Sequence, residues 1–389
     1  EYWRTMVQTR DDVVGIDASI IMNPKVWEAS GHTEAFSDPL VDCKKCKKRF
    51  RADHLQTITN DNDDDKRRCP ECGGELTEPR QFNLLVETFL GSVEGQKEKA
   101  YLRGEITQGV HVNFKQVLDS TRVKIPFGVA QIGKAFRNEI TPGGFIFRCR
   151  EFEQMELQYY VRPDNPPSSP KRGTAARQEK NHKEWFEYWK EKRMQWYLDF
   201  GFNKKNLRFK EHAPDELVHY AQAAFDIEYN LEGEWKEMEG VHHRGDWDVR
   251  RHEEYSKKDM TYYDEETKGR YLPYIIETSA GTGRVALFAL CDSYTEEDVK
   301  DGDFRVVLKL HPRLAPYKAA VFPLLANKPD LVNLAREVYN QLKQDFMVVW
   351  DDRGNIGKRY RAQDEIGTPF CFTIDFESLE RQDVTVRDR

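Results

Sequence analysis

The sequence has no run of about 18 apolar residues and no short apolar leader near its start, so no membrane-spanning helix or secretory signal is expected. It also lacks a basic excess: 60 Lys and Arg stand against 67 Asp and Glu, a formal net charge of −7. A nucleic-acid partner would have to be met by local basic patches, because the overall field opposes it. Cysteine is sparse, with seven in the chain. No methionine opens the sequence, which begins in a helical-looking EYWRTMV and stops at a strand-like VTVRDR. Residues are therefore expected to be missing at both ends and from internal loops. What is present is length and charge. At 389 residues, 33% of them charged, the chain can form two or three domains around a large core.

Four of the seven cysteines form a pattern. Cys43 and Cys46, then Cys69 and Cys72, make two C-x2-C pairs 22 residues apart, followed by Gly73-Gly74. Four thiolates so spaced suit tetrahedral Zn²⁺. The competing reading, two disulfides or free thiols, fits a cytosolic chain less well. Between the pairs, the acidic run 60–65 followed by Lys66, Arg67 and Arg68 reads as a solvated hairpin tip, with nucleic-acid contact the lesser alternative. Cys149, Cys291 and Cys371 have apolar neighbours and are expected to pack. His32, in Ser30-Gly31-His32, reads either as a site residue or, with more weight, as a satisfied structural histidine.

The stretch from Phe127 to Val161 reads as two β-strands around a turn at Thr141-Pro142-Gly143-Gly144. Alternation puts Arg148, Phe152 and Glu156 on one face of the second strand, and Arg137 and Glu139 on one face of the first. At about 3.3 Å per residue, Phe152 and Glu156 stand about 13 Å apart, the scale of a nucleotide. Guanidiniums, an aromatic plate and carboxylates on one face suit a ligand. They equally suit a solvated face laced with cross-strand ion pairs.

Further on, DNPPSSPKRGTAARQEK (164–180) reads as a flexible loop. It precedes a helix, NHKEWFEYWKEKRMQWYLDFGF, with Trp185, Tyr188, Trp189, Met194, Trp196 and Tyr197 at helical spacing. That stripe is read as core or interdomain packing in preference to base stacking. From about Asp303, alternating strand and helix signals indicate a small mixed sheet.

The motifs decide between the readings of the strand pair. F-R-N-E (136–139) followed by F-R-x-R-E-F (147–152) resembles the second signature motif of class II aminoacyl-tRNA synthetases. R-E-F-E-Q-M-E, with I-T-P in the turn, is similar to the glycyl family in particular. YLRGEITQGVHVNFKQVL approximates that family's L-R-P-E-T-A-Q-G, with Gly104 where proline is usual and Ile106 breaking the order. In EMEGVHHRGDWDV, Arg244 matches the arginine of G-x-x-x-R-x-D. His242 and His243 depart from the pattern and are left unassigned, since neighbours on a strand point apart. YIIETSAGTGRVALFALCDSY resembles the third motif, an extended strand with Glu277 and Ser279 on one face, then a Gly-rich turn and a helix opened by Arg284. Pro24 could be the proline of the first motif. RGNIGKRYRAQDEIGTPF resembles the anticodon-binding domain shared by the glycyl, threonyl, prolyl and histidyl enzymes. There Lys358, Arg359 and Arg361, interleaved with Tyr360, offer a basic-aromatic surface for single-stranded RNA, or simply a solvated basic turn.

The resemblance implies an α+β fold: a class II antiparallel β-sheet flanked by helices at 1–302, carrying a zinc-ribbon insertion at 41–78 and a second insertion at 163–270. A C-terminal α/β anticodon-binding domain would follow at 303–389. It implies a cytoplasmic homodimer that activates glycine with ATP and Mg²⁺, then transfers it to tRNA(Gly). Carried over residue by residue, Arg137 and Arg284 are the catalytic arginines, on the α- and γ-phosphates. Glu139 reads the adenine amino group, Phe152 stacks on the base, and Glu277 holds Mg²⁺. Glu105, Glu156 and Ser279 cradle the glycine ammonium, with Arg148 and Arg244 on the carboxylate and adenylate side. Three alternatives stay open: a class II synthetase for another amino acid, which the cradle acids argue against; a catalytically silent RNA-binding relative, which Arg137, Arg148 and Arg284 argue against; and a structural zinc module, which explains only residues 40 to 75.

Overall fold

Seven strands pair into the sheet on which the molecule is built: β1 (Val13–Gly15), β2 (Phe127–Phe136), β3 (Glu151–Val161), β4 (Leu207–Glu211), β5 (Ala223–Leu231), β6 (Glu234–Gly245) and β7 (Tyr274–Gly281), in the order β1-β2-β3-β7-β6-β5-β4. Every pairing is antiparallel except β1 with β2. The computed structural model describes residues 1–55, 68–93, 95–164, 180–217, 220–299 and 303–389. The acidic run at 60–65 with Lys66 and Arg67, and the loop at 165–179, lie outside them.

Register explains how one sheet serves both packing and chemistry. Gln131 of β2 pairs with Glu156 of β3, which pairs with Ser279 of β7, which pairs with Gly240 of β6. Because side chains alternate, Met155, Leu157, Tyr159, Ile276 and Val241 fall on the opposite face, within one buried apolar cluster. Helix α2 (His182–Asp199) packs on that face, and α4 (Thr282–Ser293) packs there beside it. Asn181 and Glu184 close a capping box that fixes where α2 starts. The aromatic stripe of α2 is core, as expected: Trp189 and Tyr197 are fully buried, and Trp189 meets Tyr159 at 5.0 Å. The stripe also hides an ion pair, Arg193 to both oxygens of Glu239 at 2.6 and 3.0 Å.

On the site face, the end away from the β2–β3 turn is closed by a second apolar cluster. Phe127, Val129, Tyr160 and Ile275 meet Val110 of α1 (Thr107–Val112) and Val249 of α3 (Trp247–Ser256). Between that cluster and the turn, the same face carries Gln158, Glu277, Glu156 and Ser279. The fold thus buries polar groups on a floor roofed at one end and open at the other.

The segment expected to be an insertion at 163–270 does not stand apart. It supplies β4, β5 and β6 of the main sheet as well as α2 and α3. β6 pairs with β7, β5 with β6 and β4 with β5, so the segment continues the main sheet. Cys43, Cys46, Cys69 and Cys72 lie in a small lobe on strands Ser37–Asp42, Arg49–Arg51 and Arg80–Asn83. At the other end, strands Ala319–Pro323, Val348–Trp350 and Phe370–Ile374 run parallel, with Thr385–Asp388 antiparallel at the edge. Helices α5 (Pro329–Leu342) and α6 (Ile356–Ile366) belong to this mixed sheet. The expected boundary at 302/303 falls between two strands that pair with each other, Tyr294–Asp298 and Phe304–Leu308. No helix among the described residues is long and apolar enough to cross a membrane.

Candidate active site

The buried end of the site is a lattice of charges. Thr107, opening α1, places its hydroxyl oxygen 2.6 Å from Glu156 Oε2 and 3.0 Å from Glu277 Oε1. Ser279 donates to Glu156 Oε1 at 2.7 Å. Arg244 donates to both oxygens of Glu277 at 3.1 and 2.9 Å and, through Nε and Nη2, to both oxygens of Asp248. Its guanidinium lies 3.7 Å from the centre of the Tyr220 ring. Gln108 bridges Glu105 Oε1 and Asp248 Oδ1, at 3.0 Å each.

These contacts set three different carboxyl states. Burial raises Glu156, and the neighbouring Glu277 and Glu105 raise it further, to about 8. Burial would also raise Glu277, but Arg244 and His242 outweigh it and hold the group well below the carboxylate range. Glu105 is likewise buried, yet His32 and Arg244 hold it at about 2. Three acids within one pocket thus comprise two anions and one that keeps its proton near neutrality.

The open end is a cleft of about 310 Å³ lined by Arg137, Glu139, Arg148, Phe152, Ser279 and Arg284, among others. Arg137 donates to the Gly104 carbonyl at 3.1 Å and lies over the rings of Phe36 and Phe152, at 5.1 and 5.2 Å. Arg284, in the first turn of α4, lies over Phe147 and donates to the Glu237 carbonyl at 2.8 Å. Ser279 belongs to both ends: it lines the cleft and holds Glu156. One continuous site therefore offers a cationic, aromatic cleft leading to an acidic pocket.

Comparison with known proteins agrees with this geometry. A family model described as an anticodon binding domain matches residues 318–389, the unit that begins at strand Ala319–Pro323. A glycine–tRNA ligase of Treponema denticola is 50% identical over all of this chain and 82% of its own length. Those of Borreliella burgdorferi and Thermobifida fusca are each 49% identical over the whole chain, covering 83% and 84% of theirs. The chain belongs to the glycine–tRNA ligase family. The resemblance read from the motifs, the class II fold and the ligase class are thereby established.

Within that family frame, several sequence expectations need correction. Arg137, Glu139 and Arg148 do not sit on strands: β2 ends at Phe136 and β3 begins at Glu151. Pro142 cannot extend the ladder, and Gly144 and Phe145 take positive φ, so the chain folds into a compact loop. That loop carries Arg148 against His54, at 3.0 and 3.2 Å. Glu277 does not fit a magnesium ligand, because its oxygens are taken by Arg244, His242, Gln158 and Thr107. Arg359 is not an RNA-facing residue. It is 2% exposed and donates to the carbonyls of Pro323, Asp352, Arg353 and Gly354. Helical period turns it inward while Lys358 and Arg361 stay exposed. Tyr360 also turns toward the sheet, its hydroxyl 2.5 Å from that of Thr373. Of the three lone cysteines, Cys371 is buried, Cys291 is exposed and Cys149 lines the cleft.

The four paired cysteines carry ligand atoms within 4.8 Å of one another, and two of the sulfur pairs are 3.5 and 3.6 Å apart. These are not disulfides. They fit a tetrahedral zinc with Zn–S bonds of about 2.3 Å.

Residues the motifs did not assign complete the site. His242 Nδ1 is 2.8 Å from Glu277 Oε2, whereas His243 faces the other side of the sheet and meets His182 at 2.7 Å. Gln158 donates to Glu277 at 2.8 Å, and Gln154 accepts from the Ile106 amide at 3.3 Å. The signal for the glutamines was present: Gln154, Glu156 and Gln158 share one strand face. Asp248, which holds Arg244 through both oxygens, was not singled out in the sequence.

Proposed function

We propose that this chain charges tRNA(Gly) with glycine in two steps at the site described. In the first, a glycine carboxylate oxygen bonds to the α-phosphorus of ATP as the bond to the departing pyrophosphate breaks. Both reactants are anionic, so the protein must neutralise and align them. Arg137 holds the α-phosphate and Arg284 the γ-phosphate, since a planar, permanently charged fork suits phosphate oxygens. Phe152 stacks on adenine, Glu139 accepts from its amino group, and Arg148 swings onto the phosphate side. Glycine's ammonium sits among Glu105, Glu156 and Ser279. Arg244 keeps the pocket anionic by pinning Glu277 and Asp248, with Glu277 a structural anion. Mg²⁺ bound with the nucleotide would offset the charge of the phosphates.

Selection rests on what glycine lacks. A side chain would enter a pocket whose walls are hydrogen-bonded to one another, so larger amino acids clash and need no editing. In the second step the terminal ribose hydroxyl of the tRNA attacks the adenylate carbonyl and AMP leaves. Lys358 and Arg361 contribute to the anticodon surface. A structural Zn²⁺ on the four cysteines, a homodimer and a cytoplasmic location complete the reading, supported by the family resemblance.

The observation that carries this proposal is Ser279, which lines the phosphate-binding cleft while donating to Glu156 of the ammonium pocket. The test is charging of unfractionated tRNA with each of the twenty amino acids in turn. Glycine alone should become acid-precipitable. Stable charging with alanine or serine at a comparable rate would overturn the specificity.

A further inference from the structure

His32 is enclosed without being idle. Its ring is 6% exposed and lies between Trp27 and Phe36, centroids at 5.2 and 5.0 Å. Asn83 fixes its backbone by donating to the carbonyls of His32 and Thr33 at 2.8 and 3.1 Å. Ser30 Oγ lies 2.8 Å from Nδ1, which leaves Nε2, 3.3 Å from Glu105 Oε2, to donate to the carboxylate. The other oxygen of Glu105 takes Gln108, whose own carbonyl is 2.7 Å from His252 Nε2. Both oxygens are thus held from outside the pocket, in a fixed plane.

We propose that His32 is a positioning residue for glycine, acting through Glu105: it orients that carboxylate toward the ammonium and keeps it ionised beside two other acids. This rests on the ammonium-pocket reading above. The groups facing Glu105 are His32 from the Pro24–Phe36 segment, His111 from α1, Glu156 from β3, Arg244 from β6, Glu277 from β7 and Tyr220. Glu277 favours a proton on Glu105, whereas His32 and Arg244 oppose it. Arg244 already serves Glu277 and Asp248 through its hydrogen bonds, so His32 is the donor dedicated to Glu105. Phe36 touches the His32 ring on one side and the Arg137 guanidinium on the other, so the Pro24–Phe36 segment buttresses both ends of the site.

The experiment is glycine-dependent exchange of labelled pyrophosphate into ATP, from pH 6.5 to 8.5, with His32→Leu and His32→Gln. His32→Leu should raise the KM for glycine by about 10- to 100-fold at pH 7, the scale of losing one charged hydrogen bond, with the KM for ATP changed less than about twofold. The deficit should shrink as pH rises and Glu105 ionises unaided. His32→Gln, which keeps an N–H donor, should recover most of the loss. A deficit that is the same at every pH, or shared equally by ATP, or not rescued by glutamine, overturns the proposal and leaves His32 a packing residue. If His32→Leu does not fold, the glutamine variant decides through its pH profile. Absence of glycine exchange in the unaltered protein would instead sink the activity on which the inference rests.

Discussion

Glycine binding should expel a proton from Glu156. The Thr107 hydroxyl touches both Glu156 and Glu277 but has one hydrogen to give. One of the two contacts must be donated by a carboxyl group. Glu277, bound by Arg244, His242 and Gln158, stays ionised, so Glu156 carries the proton. Burial and the neighbouring anions place its pKa at about 8. Ionising it at pH 7 then costs about 1.4 kcal/mol, so glycine should bind roughly tenfold more weakly at pH 7 than in the limit above pH 8. Calorimetric titration of glycine at pH 7 in buffers of different ionisation enthalpy reads the proton directly. The slope should correspond to roughly one proton released per glycine bound. A binding enthalpy independent of buffer, with flat affinity from pH 6.5 to 8.5, would refute the assignment.

Other expectations follow from the same contacts. A carboxyl raised from 4.5 to about 8 contributes stability that is full below pH 4.5 and lost as pH climbs through 8. Glu156→Gln should therefore gain on the unaltered protein by up to about 1.4 kcal/mol per pH unit across that window, in urea melts without ligand. Arg244→Leu leaves Glu277 and Asp248 buried without their cation and should cost about 3–5 kcal/mol in the same assay. Arg359→Ala should destabilise the C-terminal unit by about 1–3 kcal/mol through its orphaned carbonyls, whereas Lys358→Ala and Arg361→Ala should weaken tRNA binding and leave the melt within about 0.5 kcal/mol. Elemental analysis should find one zinc per chain, absent in Cys69→Ser.

Sequence reasoning reached the strand–turn–helix frame of the third motif because its signals are local. A strand, a glycine-rich turn and an arginine opening a helix at Arg284 are written within ten residues. It also separated His242 from His243 correctly, since alternation alone puts neighbours on opposite faces. It failed where partners come from afar. The Thr107–Glu156 and Thr107–Glu277 contacts require α1 to close over the sheet, and no local periodicity reports that closure. Arg359 was misread because a basic run was taken as a surface, although the helix turns every fourth residue inward. The segment at 163–270 was expected as an insertion because no residue pattern shows that β6, β5 and β4 continue the sheet from β7.

The central claim is that one site joins an ATP cleft to a pocket built for an ammonium without a side chain. Pyrophosphate exchange with glycine, alanine and serine, in the unaltered protein, Arg137→Ala and Glu156→Gln, tests it most directly. The account predicts exchange with glycine alone. It also predicts that Arg137→Ala loses exchange at saturating glycine, while Glu156→Gln loses it mainly through a raised KM for glycine. Comparable exchange with alanine, or full exchange in either variant, would contradict it.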